Sequence, residues 1–348
     1  MSRHFSETER RKKIVQSFPE VSVTVLADLV ADEFVFGEIA RVSREAPVLI
    51  LKHRERAVVP GGGANAIMNL AALGVNVLPV GVVGDDEAGS LLLECFREHR
   101  ISVSGIERLK GHTTTTKTRI LAGMSHTSRQ QVVRVDREPE PLHELHPVLL
   151  NLVNAAREYA TASDALLVSD YGYGAATPRL LTFVKSNGCL ANKPVAVDSR
   201  YRLLEYEGAT TTTPNEPEVE EALHIKIGHD NEALFRAGDR LMKELALESL
   251  VITRGRDGMV AFENNVEPLV IPIYGSDQVV DVTGAGDTVI ATYTAALAAG
   301  ADTASAARLA NIAGGIVVMK RGTATVSAKE LLMAIEGAVS SFEFQVSG

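Results

Sequence analysis

The stretch Asp281-Val282-Thr283-Gly284-Ala285-Gly286-Asp287-Thr288 is the most informative part of the sequence, and it runs directly into a long helical pattern. Gly284 and Gly286 let the backbone approach an anion closely, because glycine has no side chain to block the approach. The start of the following helix adds unpaired N–H groups and the positive end of the helix dipole. Together these features suit the charge that develops on a phosphoryl group during its transfer, and we expect the backbone N–H groups of Gly284, Ala285 and Gly286 to stabilise it.

Asp287 lies at the entrance of this predicted helix. A carboxylate in that position could accept the proton of an attacking hydroxyl group and so act as a general base. The alternative is that Asp287 only caps the helix. A Gly-X-Gly-Asp sequence with no other matching motif in the chain would favour this capping role. The context provided by the rest of the sequence favours the catalytic interpretation.

A second glycine cluster, Pro60-Gly61-Gly62-Gly63-Ala64-Asn65, also precedes a helical pattern. Three consecutive glycines again permit close approach to a ligand. The Asn65 amide offers both a donor and an acceptor to sugar hydroxyls. Taken alone, the cluster is also compatible with a flexible loop before a helix. We predict that Gly61, Gly62, Gly63 and Asn65 contact the substrate.

Two acids, Asp28 and Asp32, follow the apolar run Val21–Ala27, which we interpret as a buried strand. In an α/β sheet, ligands usually bind at the carboxyl ends of the strands. We therefore predict that both side chains contact the substrate, although ordinary turn acids would occupy the same positions.

The rest of the chain alternates between short β-branched runs and longer helical patterns. The predicted strands are Val21–Ala27, Val75–Val83, Ala165–Ser169, Pro194–Val197 and Leu250–Thr253. The predicted helices are Ala64–Leu73, Glu87–His99, Pro178–Ser186, Asn231–Ala246, Ala285–Ala299, Thr303–Met319 and Ala328–Val339. This alternation predicts an α/β fold with a central, mainly parallel sheet and helices on both faces.

Two regions, 34–59 and 113–136, interrupt the alternation because they carry strand-like patterns with no helix between them. We predict that they form a small inserted β-sheet that acts as a lid over the site. Nothing in the sequence marks a linker to a second independent domain. We therefore expect one domain over residues 21–340, preceded by a polar extension over residues 1–20 that forms a short surface helix or stays disordered.

The composition limits the classes of function. The 348 residues carry a formal net charge of −9, which argues against a nucleic-acid-binding surface. The longest apolar run, near Ala291–Ala301, is too short to span a bilayer, so we expect no membrane partner. The two cysteines, Cys95 and Cys189, have no metal-ligand spacing and fit a reducing compartment. The expected protein is soluble and cytoplasmic.

The two glycine motifs resemble those of the ribokinase-like (PfkB) carbohydrate kinase family, and the resemblance extends from about Val21 to Leu332. Within that family the chain is similar to the heptose 7-phosphate kinases of lipopolysaccharide precursor synthesis. The narrower similarity lies in Phe36-Gly37, Arg41–Ser43, Glu45–Val48, Gln130–Asp136, Ser169–Gly172 and Gly322–Val326. The resemblance implies a ribokinase-like fold and the ATP-dependent phosphorylation of heptose 7-phosphate to heptose 1,7-bisphosphate.

The resemblance also implies roles for individual residues. Nucleotide contacts are implied for Asn215, Thr253, Arg254, Gly255, Asn311 and Asp198, and substrate contacts for Gln131 and Asp170. Glu218, in the Asn-X-X-Glu element, is implied in Mg²⁺ binding; this cation keeps several waters and needs few protein ligands. Whether a monovalent cation is also required stays open.

Basic residues occur along the predicted lid, at Lys117, Arg119, Arg129 and Arg134. Positive charge there suits a substrate that already carries a phosphate, so Lys117, Arg119 and Arg134 are predicted to bind it. The alternative is that these are exposed charges on an amphipathic sheet.

Two positions depart from the heptose kinase pattern. Tyr173 stands where those enzymes usually carry Lys, and Asp198-Ser199-Arg200 replaces an Asp-Pro-Lys element. Both changes are compatible with a sugar substrate other than heptose 7-phosphate. The few residues after Val339 also leave no space in this sequence for the nucleotidyltransferase domain of bifunctional heptose enzymes.

Two other functions remain open. One is another ribokinase-like sugar or nucleoside kinase, acting on ribose, fructose or fructose 6-phosphate. The other is a sugar-phosphate-binding regulator without catalytic activity, which the intact motif at residues 284–287 disfavours. A homodimer formed through the exposed edges of the lid is also expected, because unpaired strand edges tend to pair with another chain.

Overall fold

The computed structural model describes residues 6–123, 130–228, 230–275, 280–320 and 322–346, with the side chains after residue 337 left aside. The helices are α1 Glu7–Gln16, α2 Gly63–Ala72, α3 Glu87–Glu98, α4 Val148–Ala162, α5 Pro178–Lys185, α6 Glu216–Leu223, α7 Asn231–Glu244, α8 Ala285–Ala298, α9 Thr303–Val317 and α10 Ala328–Val346. The strands are β1 Ser22–Val42, β2 Leu49–Gly62, β3 Asn76–Gly84, β4 Ile106–Leu109, β5 Thr115–Gly123, β6 Gln130–Arg137, β7 Ala165–Asp170, β8 Val195–Ser199, β9 Thr211–Thr212, β10 Ser249–Thr253, β11 Met259–Glu263 and β12 Val266–Ile271.

The main sheet has the strand order β12-β11-β10-β9-β8-β7-β1-β3-β4. Its strands are parallel from β10 to β4, and only the edge pairs β10–β11 and β11–β12 are antiparallel. Buried side chains from α1, α2, α3, α8, α9 and α10 form one core, and those from α4 to α7 form the other. The predicted mainly parallel sheet with helices on both faces is therefore confirmed.

Local signals fix where several helices begin. Thr177 caps α5 by accepting a hydrogen bond from the Leu180 N–H group, and Pro178 takes the first helical position. Asp230 caps α7 in the same manner. Among the described residues, no helix combines the length and the apolar character needed to cross a bilayer.

Strand β1 is much longer than predicted, because it continues through Asp28 and Asp32 to Val42. Its first part, up to Asp28, pairs with β3 and β7 in the main sheet. Its second part pairs with β2 and β5, and β5 pairs with β6, so these strands make a second sheet. The acids interrupt the apolar pattern without ending the strand, because neighbouring groups hold both carboxylates. We call this second sheet the lid. Most of its residues come from the two regions predicted to form one, of which residues 124–129 lie outside the described part of the chain.

The N-terminal segment packs onto the body of the protein. Ser6 caps α1 through a hydrogen bond from the Glu9 N–H group, and Lys12 forms a 3.1 Å ion pair with Glu336 of α10. Phe18 is completely buried. The polar character of the first residues had predicted only a surface element, and the apolar residues that follow attach it to the core.

Two helical glycines give a matched stability test. A Cβ atom at Gly238 in α7 would lie 2.2 Å from the Phe262 ring, whereas one at Gly337 in α10 would have no neighbour within 4 Å. We predict that Gly238→Ala lowers the free energy of unfolding by about 1–3 kcal/mol through overpacking. Gly337→Ala should raise it by roughly 0.5–1 kcal/mol, because alanine loses less backbone entropy in a helix.

Urea unfolding of both variants beside the parent protein measures the difference. Equal shifts in the same direction would contradict the packing of α7 against β11.

Candidate active site

Two adjoining cavities open where the main sheet meets the start of α8. The first, which we call the acidic cavity, measures about 300 Å³ and is lined by four carboxylates, those of Asp170, Asp198, Glu218 and Asp287. The second, which we call the apolar cavity, measures about 320 Å³ and includes Met259, Ile273 and Val289. Asn215, Thr253, Val282 and Gly286 line both cavities, so the two form one continuous space.

Asp287 lies in the first turn of α8, and its side chain is only 4% exposed. Its two carboxylate oxygens each accept one hydrogen bond. The Asn65 amide donates to Oδ2 at 2.9 Å, and the Tyr171 hydroxyl donates to Oδ1 at 2.8 Å. The structure thus brings together residues from two predicted motifs, and it adds Tyr171.

This environment sets the basicity of Asp287. Burial raises the pKa of the carboxyl to about 7, the nearby charge of Asp32 acts in the same direction, and the hydrogen bonds from Asn65 and Tyr171 oppose the rise. A carboxylate with a pKa near neutrality can take a proton and release it again under physiological conditions.

The backbone at the start of α8 provides donors for an anion. The N–H groups of Gly284, Gly286 and Asp287 make no hydrogen bond within the described part of the chain. The Ala285 N–H group, which was also predicted to bind the anion, donates instead to the carbonyl of Val282 at 3.2 Å. Three free N–H groups at a helix N-terminus form an anion-binding site.

Gly284 has to be glycine for two reasons. Its φ of 78° lies in the left-handed region, and a Cβ atom would come within 2.4 Å of the Asn65 amide nitrogen. Asn65 in turn accepts a hydrogen bond from Asn69, whose side-chain oxygen accepts one from the Thr288 hydroxyl. This buried network holds the glycine motif of α2 against α8.

Asp32 lies next to the second glycine cluster, and the carboxylate packs so closely that a Cβ atom at Gly61 would lie 2.6 Å from Oδ2. The Thr323 hydroxyl donates to Oδ2 at 3.1 Å, and Arg119 Nη2 lies 3.2 Å from Oδ1. Within the described residues, Asp32 Oδ1 and Arg119 Nη1 are buried without a hydrogen bond. Buried polar atoms of this kind are usually completed by a ligand or by water. Both residues therefore remain candidates for substrate contact, as do Gly62 at the end of β2 and Gly63 at the start of α2.

Asp28 serves a different purpose from the predicted one. Its carboxylate is 1% exposed and accepts hydrogen bonds from the backbone N–H groups of Tyr171, Tyr173, Ala175 and Ala176. Burial, followed by the charge of Asp170, raises the pKa of Asp28 to about 6. We therefore revise its role from substrate contact to support of the loop after β7.

Asp170 is occupied in a similar way. Its carboxylate pairs with the Arg202 guanidinium and accepts hydrogen bonds from the hydroxyls of Ser199 and Tyr206, each at 2.9 Å. Although it lies on the wall of the acidic cavity, these partners make it a residue that positions the loop rather than a direct ligand of the substrate.

The three lid cations predicted to bind the substrate, Lys117, Arg119 and Arg134, are each paired with a carboxylate. Lys117 Nζ lies 3.0 Å from Glu138 Oε1 and 3.6 Å from Asp136 Oδ2. Arg134 makes two hydrogen bonds to Asp136, at 2.7 and 2.6 Å. Tyr173 joins this cluster, because its hydroxyl donates to Glu138 at 2.6 Å and accepts a hydrogen bond from Lys117 at 3.2 Å.

Two further lid residues were singled out in the sequence. Gln131 is exposed on β6, whereas Arg129 lies outside the described residues.

Five of the six predicted nucleotide residues line the cavities. Asn215 and Thr253 line both, Asp198 lines the acidic cavity, and Gly255 and Asn311 line the apolar cavity. The Asn311 amide donates to the Pro272 carbonyl at 2.8 Å. Arg254 does not line either cavity, because its guanidinium bonds to Glu216 at 2.8 Å and to Asn231 at 3.1 Å. We revise its role from phosphate contact to the attachment of α6 and α7.

The metal-binding capacity of the site is modest. In the described residues, no group of three or more His, Cys, Asp or Glu side chains is arranged to hold an ion. Glu218 uses Oε2 to cap α6 in a reciprocal capping box with Asn215, which leaves Oε1 available. Burial, with the charges of Glu218 and Asp287, raises the pKa of Asp198 well above its usual value. A divalent cation near these oxygens would relieve that repulsion.

The polar cavity residues that sequence reasoning missed include Tyr171, Arg200 and Thr213 in the acidic cavity and Arg256 in the apolar cavity. Tyr171 was available within the Ser169–Gly172 match, but only the folded loop shows that its hydroxyl reaches Asp287.

Comparison with known proteins agrees with this architecture. The model of the "pfkB family carbohydrate kinase" matches residues 30–330. Among solved structures, ribokinase of Arabidopsis thaliana, in complex with ribose and ATP, aligns with a TM-score of 0.68 at 19% identity, covering 91% of this chain and 98% of that one. Phosphofructokinase-2 of Escherichia coli aligns with a TM-score of 0.70 at 15% identity, covering 91% and 99%. At such identities these likenesses concern the fold.

Two curated relatives are more similar to this chain in sequence than these solved structures are. The bifunctional protein HldE of Trichlorobacter lovleyi is 39% identical over 330 residues, and that of Geobacter sulfurreducens is 41% identical over 314 residues. The alignments cover 93% and 90% of this chain but only 65% and 62% of the relatives, so the chain spans less than two thirds of their length. The family match over most of the chain confirms the resemblance drawn from the two glycine motifs: the chain belongs to the pfkB family of carbohydrate kinases.

Proposed function

We propose that the protein transfers the terminal phosphoryl group of ATP to a hydroxyl of a sugar phosphate, with Asp287 as the general base. The observation that carries this proposal is the position of Asp287, which is buried in the first turn of α8 beside three backbone N–H groups that have no partner among the described residues. A base and an anion site so close together fit a reaction in which a hydroxyl loses its proton while a phosphoryl group accumulates charge.

In this mechanism Asp287 accepts the proton of the sugar hydroxyl as its oxygen attacks the terminal phosphorus atom. Asn65 and Tyr171 hold the carboxylate in place, so the lone pair that remains on each oxygen has a fixed direction. The N–H groups of Gly284 and Gly286 stabilise the negative charge on the transferred group. The lid covers the sugar and excludes water, whose attack would only hydrolyse ATP.

The nucleotide would extend from the apolar cavity into the acidic cavity. Asn311 and Gly255 lie on the apolar side, where a base and ribose fit, and Thr253 lies on the wall shared by both cavities. Thr213 Oγ1 is buried without a partner in the described residues, and it faces the acidic cavity. Such a site suits the polar end of a nucleotide.

Mg²⁺ fits the oxygen atoms that remain available on Glu218 and Asp198, because it prefers hard oxygen ligands and retains several waters. When bound, the ion neutralises charge on the nucleotide phosphates. Glu218 would hold it from the start of α6, and Asp198 from the end of β8.

Heptose 7-phosphate is the acceptor that we propose, with heptose 1,7-bisphosphate as the product. The stretches that resemble heptose 7-phosphate kinases support this choice, and Lys117, Arg119 and Arg134 provide cations beside Asp32. A specific observation favours an alternative acceptor without a phosphate, such as ribose or fructose. Each of these cations is already paired with a carboxylate, and Tyr173 adds no charge to the cluster.

A coupled ADP-release assay tests the proposal with Mg²⁺-ATP and five acceptors, namely heptose 7-phosphate, fructose 6-phosphate, ribose, fructose and adenosine. We expect turnover with heptose 7-phosphate alone, and we expect Asp287→Asn to reduce it by about 10³-fold or more while the melting temperature stays close to the parent value. Turnover with a different sugar would reassign the lid cluster to that sugar. Undiminished turnover of the Asn variant would refute the role of Asp287.

The pH dependence of kcat/KM provides a second test. Because the pKa of Asp287 is raised to about 7, the base is protonated below that pH, and the rate should fall as the pH decreases through about 7. Tyr171→Phe removes a donor that favours the ionised form. The pKa should therefore rise further, and the acidic limb of the profile should move to higher pH. A limb near the ordinary pKa of an aspartate, or one that Tyr171→Phe leaves in place, would contradict this account.

We also propose a cytoplasmic homodimer formed through the lid. Strand β6 pairs only with β5 in the described part of the chain, and its outer side chains Val132, Val133 and Val135 are between 41% and 53% exposed. An exposed apolar edge strand favours pairing with a second copy. Light scattering should give twice the chain mass, and Val133→Lys should shift it towards the monomer; a monomeric parent protein would refute the proposal.

A further inference from the structure

We propose that Arg200 binds the phosphoryl group that is transferred and is therefore a catalytic residue. This inference rests on the proposed kinase function, and it assigns to Arg200 the phosphate contact that the sequence had suggested for Arg254.

The position of Arg200 is the first argument. It directly follows β8, and its N–H group donates to the Asp170 carbonyl at 3.1 Å, which fixes the backbone at the edge of the acidic cavity. Arg200 lines that cavity together with Asp287 and Gly286, and it also lines a neighbouring cavity beside Tyr201 and Glu221, but it does not line the apolar cavity. A nucleotide that enters from the apolar cavity would thus present its terminal phosphate, rather than its base, to Arg200.

The second argument is that the guanidinium of Arg200 is available. In the described part of the chain it makes no ion pair, and its recorded side-chain contact is with the ring of Tyr201, 5.5 Å from the centroid. By contrast, Arg254 is held by Glu216 and Asn231. Stacking on an aromatic ring leaves the N–H groups of a guanidinium free to bind an anion.

The electrostatic setting agrees with this role. The acidic cavity carries four carboxylates, and Arg200 is the one lysine or arginine among the described residues that line it. A polyphosphate would be repelled by this cavity unless a cation compensated. Arg200 provides a fixed positive charge there, and its planar fork of N–H groups matches two phosphate oxygens.

The chemical step is balanced as follows. The bond between the terminal phosphorus and the bridging oxygen of ADP breaks while the bond to the sugar oxygen forms, and the hydroxyl proton passes to Asp287. Charge accumulates on the oxygens of the transferred group and of ADP, and a guanidinium at the terminal phosphate stabilises it. Arg200 takes up no proton and forms no covalent bond.

The test compares two nucleotides by titration calorimetry in the presence of Mg²⁺, namely ADP and the β,γ-imido analogue of ATP. We expect Arg200→Met to weaken binding of the analogue by about 10- to 100-fold, which corresponds to a lost charge-assisted interaction, and to leave ADP binding within about two-fold. Arg200→Lys should recover part of the loss. With the accepted sugar, kcat should fall by about 10²- to 10³-fold in Arg200→Met.

Arg240→Met, on α7, is the matched control, because Arg240 is exposed and pairs only with Glu244 among the described residues. Equal losses for ADP and the analogue, or no loss for either, would overturn the proposal for Arg200. If the parent protein binds both nucleotides but phosphorylates no sugar, the proposed acceptor fails while the comparison of nucleotides still decides the role of Arg200. If the parent protein binds neither nucleotide, both proposals fall.

Discussion

The arrangement of the site depends on the burial of one carboxylate between two hydrogen-bond donors. Asp287 is withdrawn from water at the start of α8, and burial alone would favour its neutral form. The donors Asn65 and Tyr171 come from two different parts of the chain, the helix after the glycine cluster and the loop after β7. The two hydrogen bonds to Asp287 therefore require that α2, the loop after β7 and α8 keep fixed relative positions. Much of the surrounding structure holds these three segments in place.

Strand β1 provides the common frame. It is the central partner of β3 and β7 in the main sheet, and beyond Asp28 it becomes the central strand of the lid. Asp28 anchors the loop that carries Tyr171, and Asp32 faces Arg119 in the lid, four residues further along the same strand. One continuous strand thus connects the lid to the loop that carries Tyr171, whose hydroxyl donates to Asp287.

The sequence predicted the parallel sheet and most of the long helices, because apolar periodicity directly reflects which faces are buried. It also singled out Asp287 and both glycine motifs, since glycine is needed where the backbone must approach another group closely. It did not predict the hairpin of β11 and β12, whose short strands carry little periodicity and whose turn depends on Asn265 at a φ of 61°.

Side-chain partners were the harder part to predict. Asp28 and Arg254 have the residue types of ligand-binding groups, but the fold surrounds them with backbone N–H groups and a carboxylate, respectively. Arg200 appeared in the sequence only as a departure from a pattern. That its guanidinium makes no ion pair within the described residues depends on which acids the fold places near it. Such contacts join residues that are distant in the chain, so no local pattern contains them.

The most direct measurement of the central claim is a ¹³C NMR titration of the Asp287 carboxyl, assigned by comparison with Asp287→Asn. The account predicts a midpoint of about 7, and a midpoint near the ordinary aspartate value of about 4 would contradict it.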